Sequence, residues 1–94
     1  MTTKPFEFKN FAALLDRADI TAAEAADIFK TTKPTIYSWR SGTTPANQVM
    51  REYTERVVTV IAKAISSGDL PLKGVEKENR LSAIAEAIRK NSGR

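Results

Sequence analysis

A polar stretch in the first half of the chain carries the side chains best suited to binding chemistry. Its sequence, from Thr31 to Pro45, is TTKPTIYSWRSGTTP, and it includes the only tryptophan of the chain. Between residues 28 and 51 there are four basic residues and no acidic one. Hydroxyl, ammonium and guanidinium groups with no carboxylate among them are the groups that contact phosphates and base edges. The stretch therefore indicates an anionic partner.

The composition argues against most kinds of enzyme and metal site. The 94 residues include no histidine and no cysteine, which removes the commonest general base, the commonest metal ligand and any disulfide. Only carboxylate or lysine chemistry remains, and the acids are scattered along the chain. We therefore expect no enzymatic activity, no metal, no cofactor and no small-molecule ligand. The net charge of +4 also favours an anionic partner.

The chain has no feature of a membrane or secreted protein. No apolar run approaches the length of a membrane span, and the amino-terminal sequence MTTKPFEFKN lacks the apolar core of a signal peptide. The absence of cysteine agrees with a reducing compartment. We expect a single cytoplasmic domain that comprises residues 1–94.

The spacing of apolar residues predicts an all-α fold of five helices, with no stretch that alternates long enough for a strand. Helices are predicted at about residues 9–17, 22–29, 33–40, 45–65 and 78–90. The fourth carries a long apolar stripe that begins at Val49 and ends at Ile65. We expect a helix-turn-helix core over about residues 9–66 and a C-terminal helical extension over about residues 70–90.

The predicted helix ends depend on capping residues. Thr21 and Glu24 match the capping box, in which each side chain satisfies the backbone amide of the other residue. Thr32 is the predicted N-cap of the third helix, and Pro34 lies in its first turn, where a proline loses no hydrogen bond. The remaining end signals are Ser41-Gly42 after the third helix and Thr44-Pro45 as the N-cap and first residue of the fourth.

The short connection between the second and third helices predicts a helix-turn-helix. About three residues join them, so the two helices must cross steeply. Ile36 and Trp39 lie three apart and are predicted to point inward. The opposite face would then present groups that bind base edges and phosphates, on Lys33, Thr35, Tyr37, Ser38 and Arg40. A merely solvated face is the alternative.

Residues 21–45, TAAEAADIFKTTKPTIYSWRSGTTP, resemble the helix-turn-helix of phage lambda-type repressors and Cro proteins, the Xre-like family. That family's pattern is roughly T-Q-x-x-L-A-x-x-x-G-V-S-x-x-x-I-S-x-W-E-x-G-x-x-x-P. The matching residues are Thr21, Ala26, Thr32, Ile36, Trp39, Gly42 and, one position early, Pro45. The departures are Ala22 for glutamine, Ala25 for leucine, Lys30 for glycine, Thr31 for valine and Arg40 for the acid.

The resemblance implies a sequence-specific DNA-binding regulator of transcription, such as a phage or prophage repressor that binds a palindromic operator as a dimer. It implies base contacts in the major groove from Thr32, Lys33, Pro34, Thr35 and Ser38. It implies phosphate contacts from the loop residues Ser41, Thr43 and Thr44. To these phosphate contacts we add Tyr37, Arg40 and Lys30 as predictions from their charge or hydrogen-bonding groups.

The apolar faces of the last two helices predict a homodimer. These faces are wider than packing against the first three helices requires. In addition, one short helix in a DNA groove buries too little surface to be specific alone. The predicted interface comprises Val57, Ile61, Ile65, Leu81, Ile84 and Ile88. The alternative is that the last helix folds back on its own domain. If the chain forms the homodimer, its partners are double-stranded DNA and a second copy of the chain.

Two other functions stay open at this point. The first is an antitoxin with the same DNA-binding fold, in which the C-terminal helix binds a toxin. The second is a protein–protein adaptor that uses the helices without DNA. The basic residues of the C-terminal part are interpreted as a solvated helix face, because Glu76, Glu78 and Glu86 offset them.

Overall fold

The computed structural model describes residues 10–43, 45 and 47–92. All regular structure in these residues is helical, which confirms the all-α prediction with five α-helices. None of these helices is both long enough and apolar enough to cross a lipid bilayer. The helices are α1 (Phe11–Ala18), α2 (Ala22–Ile28), α3 (Lys33–Arg40), α4 (Gln48–Ser67) and, after a 3-10 turn at Lys77–Asn79, α5 (Arg80–Ser92).

The predicted caps of α2 and α3 are confirmed. The Thr21 hydroxyl accepts the Glu24 amide at 3.2 Å, and the Glu24 carboxylate accepts the Thr21 amide at 3.0 Å. The Thr32 hydroxyl accepts the Thr35 amide at 3.4 Å, at the start of α3. Each cap satisfies amides that have no partner within the helix, so each short helix begins at a defined residue.

The predicted start of α4 is wrong. The helix begins at Gln48 and not at Pro45, and its N-cap is Asn47, whose side-chain oxygen accepts the Met50 amide at 2.8 Å. Pro45 is buried in the connector before the helix, and Thr44 lies outside the residues that the structure describes. Asparagine caps helices at least as well as threonine, so packing of the connector decides between the two signals.

Three aromatic rings join the first three helices. Phe11 of α1, Phe29 directly after α2 and Trp39 of α3 are all buried. Their rings pack edge to face, with centroids 5.4 Å (Phe11–Phe29), 5.8 Å (Phe11–Trp39) and 6.1 Å (Phe29–Trp39) apart. Each such pair contributes about 0.5–1.5 kcal/mol beyond the area that it buries. The cluster sets the rotation of α3 about its own axis, because the indole must face the other two rings.

The last helix, α5, packs against α4 of the same chain. Val57, Ile61 and Ile84 are therefore buried in the chain's own core, which corrects their predicted place in a dimer interface. Ile65 and Ile88 are half-buried against that core, and Leu81 is 39% exposed. Val49, predicted at the start of the apolar stripe of α4, is 78% exposed because it precedes the part of the helix that the core covers.

A polar cluster ties the end of α4 to the end of α5. The Asp69 carboxylate accepts hydrogen bonds from the Asn91 amide at 2.9 Å, the Ser67 hydroxyl at 2.9 Å and the Lys90 ammonium at 3.3 Å. The Asn91 and Ser67 hydrogen bonds, together with Lys90, hold the pKa of Asp69 below its ordinary value of 3.8. Leu70, the next residue along the chain, is buried in the hydrophobic core.

The connection between α2 and α3 requires a left-handed backbone at Lys30, where φ is 60°. This conformation costs an L-residue with a side chain about 1–2 kcal/mol, whereas glycine adopts it freely. Lys30 therefore lowers the stability of the turn.

We predict that Lys30→Gly raises the free energy of unfolding by about 1 kcal/mol, because glycine removes the strain at positive φ. Urea unfolding followed by circular dichroism measures the change. Lys63→Gly, the same substitution at an exposed position inside α4, serves as the control and should lower the free energy of unfolding by about 1 kcal/mol. A loss of stability in both variants would contradict the assignment of strain to Lys30.

Candidate nucleic-acid interface

The outer face of α3 carries the side chains that the sequence analysis assigned to base contact. Ile36 and Trp39 are buried at 0% and 3% exposure, as predicted, so the opposite side of this short helix faces outward. Thr35 on that side is half-buried, and Tyr37 is 57% exposed. The exposed members of the predicted base-contact set are Thr32, Lys33, Pro34 and Ser38.

Two hydroxyl groups at the start of this face are joined to each other. The Thr32 and Thr35 side-chain oxygens lie 3.0 Å apart, and the Thr32 oxygen also caps the helix through the Thr35 amide. One of the two hydroxyls donates its proton to the other oxygen. The proton of the accepting hydroxyl must then point elsewhere. The second hydroxyl proton and the lone pairs without a partner can then be offered to a base edge as donor and acceptor.

A groove lined mainly by polar side chains runs along α3 toward the N-terminus of α4. It brings Thr35 and Ser38 of α3 together with Thr43 of the loop and Asn47, the N-cap of α4. The loop is held by backbone hydrogen bonds, including one from the Thr43 amide to the Ser38 carbonyl at 3.1 Å. Hydroxyl and amide groups of this kind contact phosphate oxygens and sugars in protein–DNA complexes.

Asn47 is a residue that the sequence analysis missed. It was passed over because Thr44-Pro45 supplied an earlier start signal for the fourth helix. Asparagine directly before an apolar helical stripe was the available signal. Ser41 is placed in the same loop, where its hydroxyl donates to the Tyr37 carbonyl at 2.9 Å, and it remains exposed.

Arg40, predicted as a phosphate contact, has an acidic partner in the same chain. Its Nη2 atom donates to the Asp16 carboxylate of α1 at 3.2 Å. Both residues line a shallow groove with Asp19, Thr21 and Tyr37. The acid-free stretch of the sequence is therefore flanked in space by two carboxylates from the end of α1. The sequence contained no periodic signal for this contact, because the partners are 24 positions apart.

Lys30, also predicted as a phosphate contact, is exposed and lines two grooves that contain no residue of α3. One of them is lined by Leu81 and Ile88 of α5. The other includes Asn47, which also lines the groove beside α3, so Lys30 borders the candidate interface without lining the same groove as α3.

The N-terminus of α2 is occupied by an ion pair. Arg80 of α5 donates through Nε to the Glu24 carboxylate at 2.8 Å and through Nη2 to the Asp19 carbonyl oxygen. The hydrogen bond from Arg80 is the largest cause that lowers the pKa of Glu24 below its ordinary value of 4.5, and the capping bond from the Thr21 amide adds to it. With the capping box in place, this helix end is filled by a carboxylate rather than open to a phosphate. The interpretation of the C-terminal basic residues as a solvated helix face is therefore wrong for Arg80.

The fold and this interface define a small all-α protein whose third helix presents a hydroxyl-rich outer face. Comparisons of the chain with models of known families, with curated proteins and with solved structures found no match. The resemblance to Xre-like proteins therefore stays a prediction from residues 21–45.

We predict that Arg80→Gln lowers the free energy of unfolding at pH 7 by roughly 1–3 kcal/mol, because it leaves the half-buried Glu24 carboxylate without its charged partner. The folded-state pKa of Glu24 is depressed, so this stabilisation is present above pH 4.5 and is lost as the pH falls through the folded-state pKa. Unfolding curves at a series of pH values should therefore converge for the two proteins in acid.

The control for that measurement is Arg89→Gln. Arg89 pairs with Glu86 on the surface of α5, with both side chains more than half exposed. An exposed pair contributes only about 0–1 kcal/mol, so this variant should unfold close to the wild type at every pH. Equal effects of the two substitutions would show that Arg80 is no more than a surface charge.

Proposed function

We propose that this protein is a sequence-specific DNA-binding regulator of transcription that inserts α3 into the major groove, in the manner of the Xre-like family that its sequence resembles. The observation that carries the proposal is the rotation of α3, with Ile36 and Trp39 buried and Lys33 and Ser38 exposed. A helix with its side chains is about 10–12 Å across, which matches the major groove of about 12 Å.

The side chains of α3 supply complementary chemistry for base edges. The ammonium of Lys33 donates to guanine O6 and N7, and the hydroxyls of Thr35 and Ser38 donate or accept. Pro34 has no amide hydrogen, so its exposed ring makes only apolar contact, for which the thymine methyl group is suited. The first turn of α3 thus combines a cation, a hydroxyl and an apolar surface.

The loop after α3 supplies contacts to the DNA backbone. Ser41 and Thr43 are exposed, and Asn47 lies in the same groove as Thr43. Neutral donors of this kind fix the register of a protein on DNA without reading its sequence. Because the net charge is +4, counterion release adds to the affinity and makes it decrease with salt. This function places the protein in the cytoplasm of a bacterial or phage-infected cell.

Binding as a dimer to a palindromic operator completes the proposal. A single short helix contacts too few base pairs for high specificity, and two-fold dimers double that number. The support is a groove between the end of α2 and α5, whose apolar lining residues are Ile28, Leu81, Ala85 and Ile88. Leu81 at its edge is 39% exposed, and a second copy would cover it.

We predict that Lys33→Ala and Thr35→Ala each weaken binding to a selected operator by about 1–3 kcal/mol and relax the preference at the base pairs that they contact. Selection of bound duplexes from a random pool gives the operator and its symmetry. Fluorescence anisotropy then measures the affinity of each variant for that operator and for singly substituted sites.

Lys63→Ala is the matched control for Lys33→Ala, since it removes the same charge from an exposed position on α4, in a groove with Tyr53 and Ile88. Its effect should be uniform over all sequences and smaller. An enriched operator whose binding is unchanged in Lys33→Ala would contradict the assignment of this face. No enrichment from the pool, together with no salt-dependent binding to random duplex, would contradict DNA recognition and favour an adaptor.

We predict that the wild-type protein sediments as a dimer at micromolar concentration and that Leu81→Arg sediments as a monomer, because a buried guanidinium without a partner is costly. The control is Val49→Arg, which places the same group at an exposed apolar position on α4. Circular dichroism of each variant establishes that the helices are intact. A wild-type protein that sediments as a monomer at this concentration would contradict the prediction of a preformed dimer.

A further inference from the structure

The pair of Arg40 and Asp16 stands at one edge of the α3 face. Arg40 is the last residue of α3, and its side chain is 29% exposed. It makes one hydrogen bond of 3.2 Å to Asp16 of α1, whose side chain is 69% exposed. Tyr37, the most exposed aromatic residue of α3, lines the same groove. The pair is therefore accessible to whatever contacts α3.

The charges at this edge oppose a phosphate. A free arginine presents a planar set of donors that binds phosphate with two parallel hydrogen bonds. Here the Asp16 carboxylate takes up one of those donors and cancels the positive charge, and Asp19 places a second carboxylate in the same groove. Asp19 has a partner of its own in Arg80, at 3.5 Å, so an approaching phosphate meets two paired carboxylates in place of a free guanidinium.

We propose that Asp16 limits the affinity of this protein for DNA by pairing with Arg40 and cancelling its positive charge beside the phosphate backbone. The inference rests on the proposed function and adds a residue that sets its specificity. Contacts to phosphate strengthen binding to all sequences alike. A repulsive group that weakens them raises the ratio of specific to non-specific binding, because the base contacts of Lys33, Thr35 and Ser38 remain.

The geometry favours this role over one in which Asp16 orients Arg40 toward a phosphate. A positioning carboxylate holds a guanidinium through two hydrogen bonds, whereas the two residues here share one. Exposed pairs of this kind are weak, so they impose little orientation. Asp16 therefore acts on Arg40 through its charge, which neutralises the guanidinium without fixing its orientation.

The test is a double-mutant cycle of Asp16→Asn and Arg40→Gln, with anisotropy on a random-sequence duplex over a salt series. Asp16→Asn should bind about three- to tenfold more tightly near 0.1 M salt, and its log–log salt slope should be steeper by roughly 0.9, as one more phosphate is neutralised. Arg40→Gln alone should change the affinity less than about twofold. The double variant should lose the gain, because Arg40 is then absent.

Glu55→Gln is the control, because it makes the same change in net charge on α4, in a groove with Ile88 and Ser92. Melting curves establish that each variant is folded. An equal gain from Glu55→Gln, a gain that survives in the double variant, or weaker binding by Asp16→Asn would overturn the inference.

The cycle also separates this inference from the function on which it depends. Wild-type protein that prefers a selected operator, with no effect of Asp16→Asn on random duplex, rejects the role of Asp16 alone. Absence of duplex binding in all four proteins of the cycle rejects both the role of Asp16 and the proposed function.

Discussion

The packing of Trp39 against Phe11 and Phe29 is the interaction on which the rest of the structure depends. The three rings come from α1, from the end of α2 and from α3, so one cluster fixes the relative positions of all three helices. Because the edge-to-face geometry leaves the indole little freedom, α3 has one rotation about its axis. Lys33 and Ser38 are exposed as a consequence of where Trp39 is buried.

The short connection between α2 and α3 contains one strained residue, and contacts elsewhere stabilise the helices on either side of it. Lys30 adopts a positive φ that disfavours any side chain. The caps at Thr21 and Thr32 satisfy the amides at the start of each helix, and the Arg80–Glu24 pair attaches α5 to the start of α2. The stability lost at one residue of the turn is thus recovered at the helix ends.

The features that the sequence predicted are those encoded by neighbouring residues. The capping box of Thr21 and Glu24 spans three positions, and the inward spacing of Ile36 and Trp39 spans another three, so both were visible without a structure. The start of α4 was missed because two adjacent signals competed and packing of the connector chose between them. The partners of Arg40 and Arg80 were missed because they are 24 and 56 positions away, and no periodicity links such residues.

The two sides of α3 differ in charge, and this difference bears on how DNA would approach under the proposed function. One side leads to a groove that holds Thr35, Ser38, Thr43 and Asn47, in which no lining residue that the structure describes is acidic. The other side leads to Asp16 and Asp19. A polyanion meets hydroxyl and amide groups on the first side and carboxylates on the second. Under the proposed function the helix would therefore dock tilted toward the loop after α3.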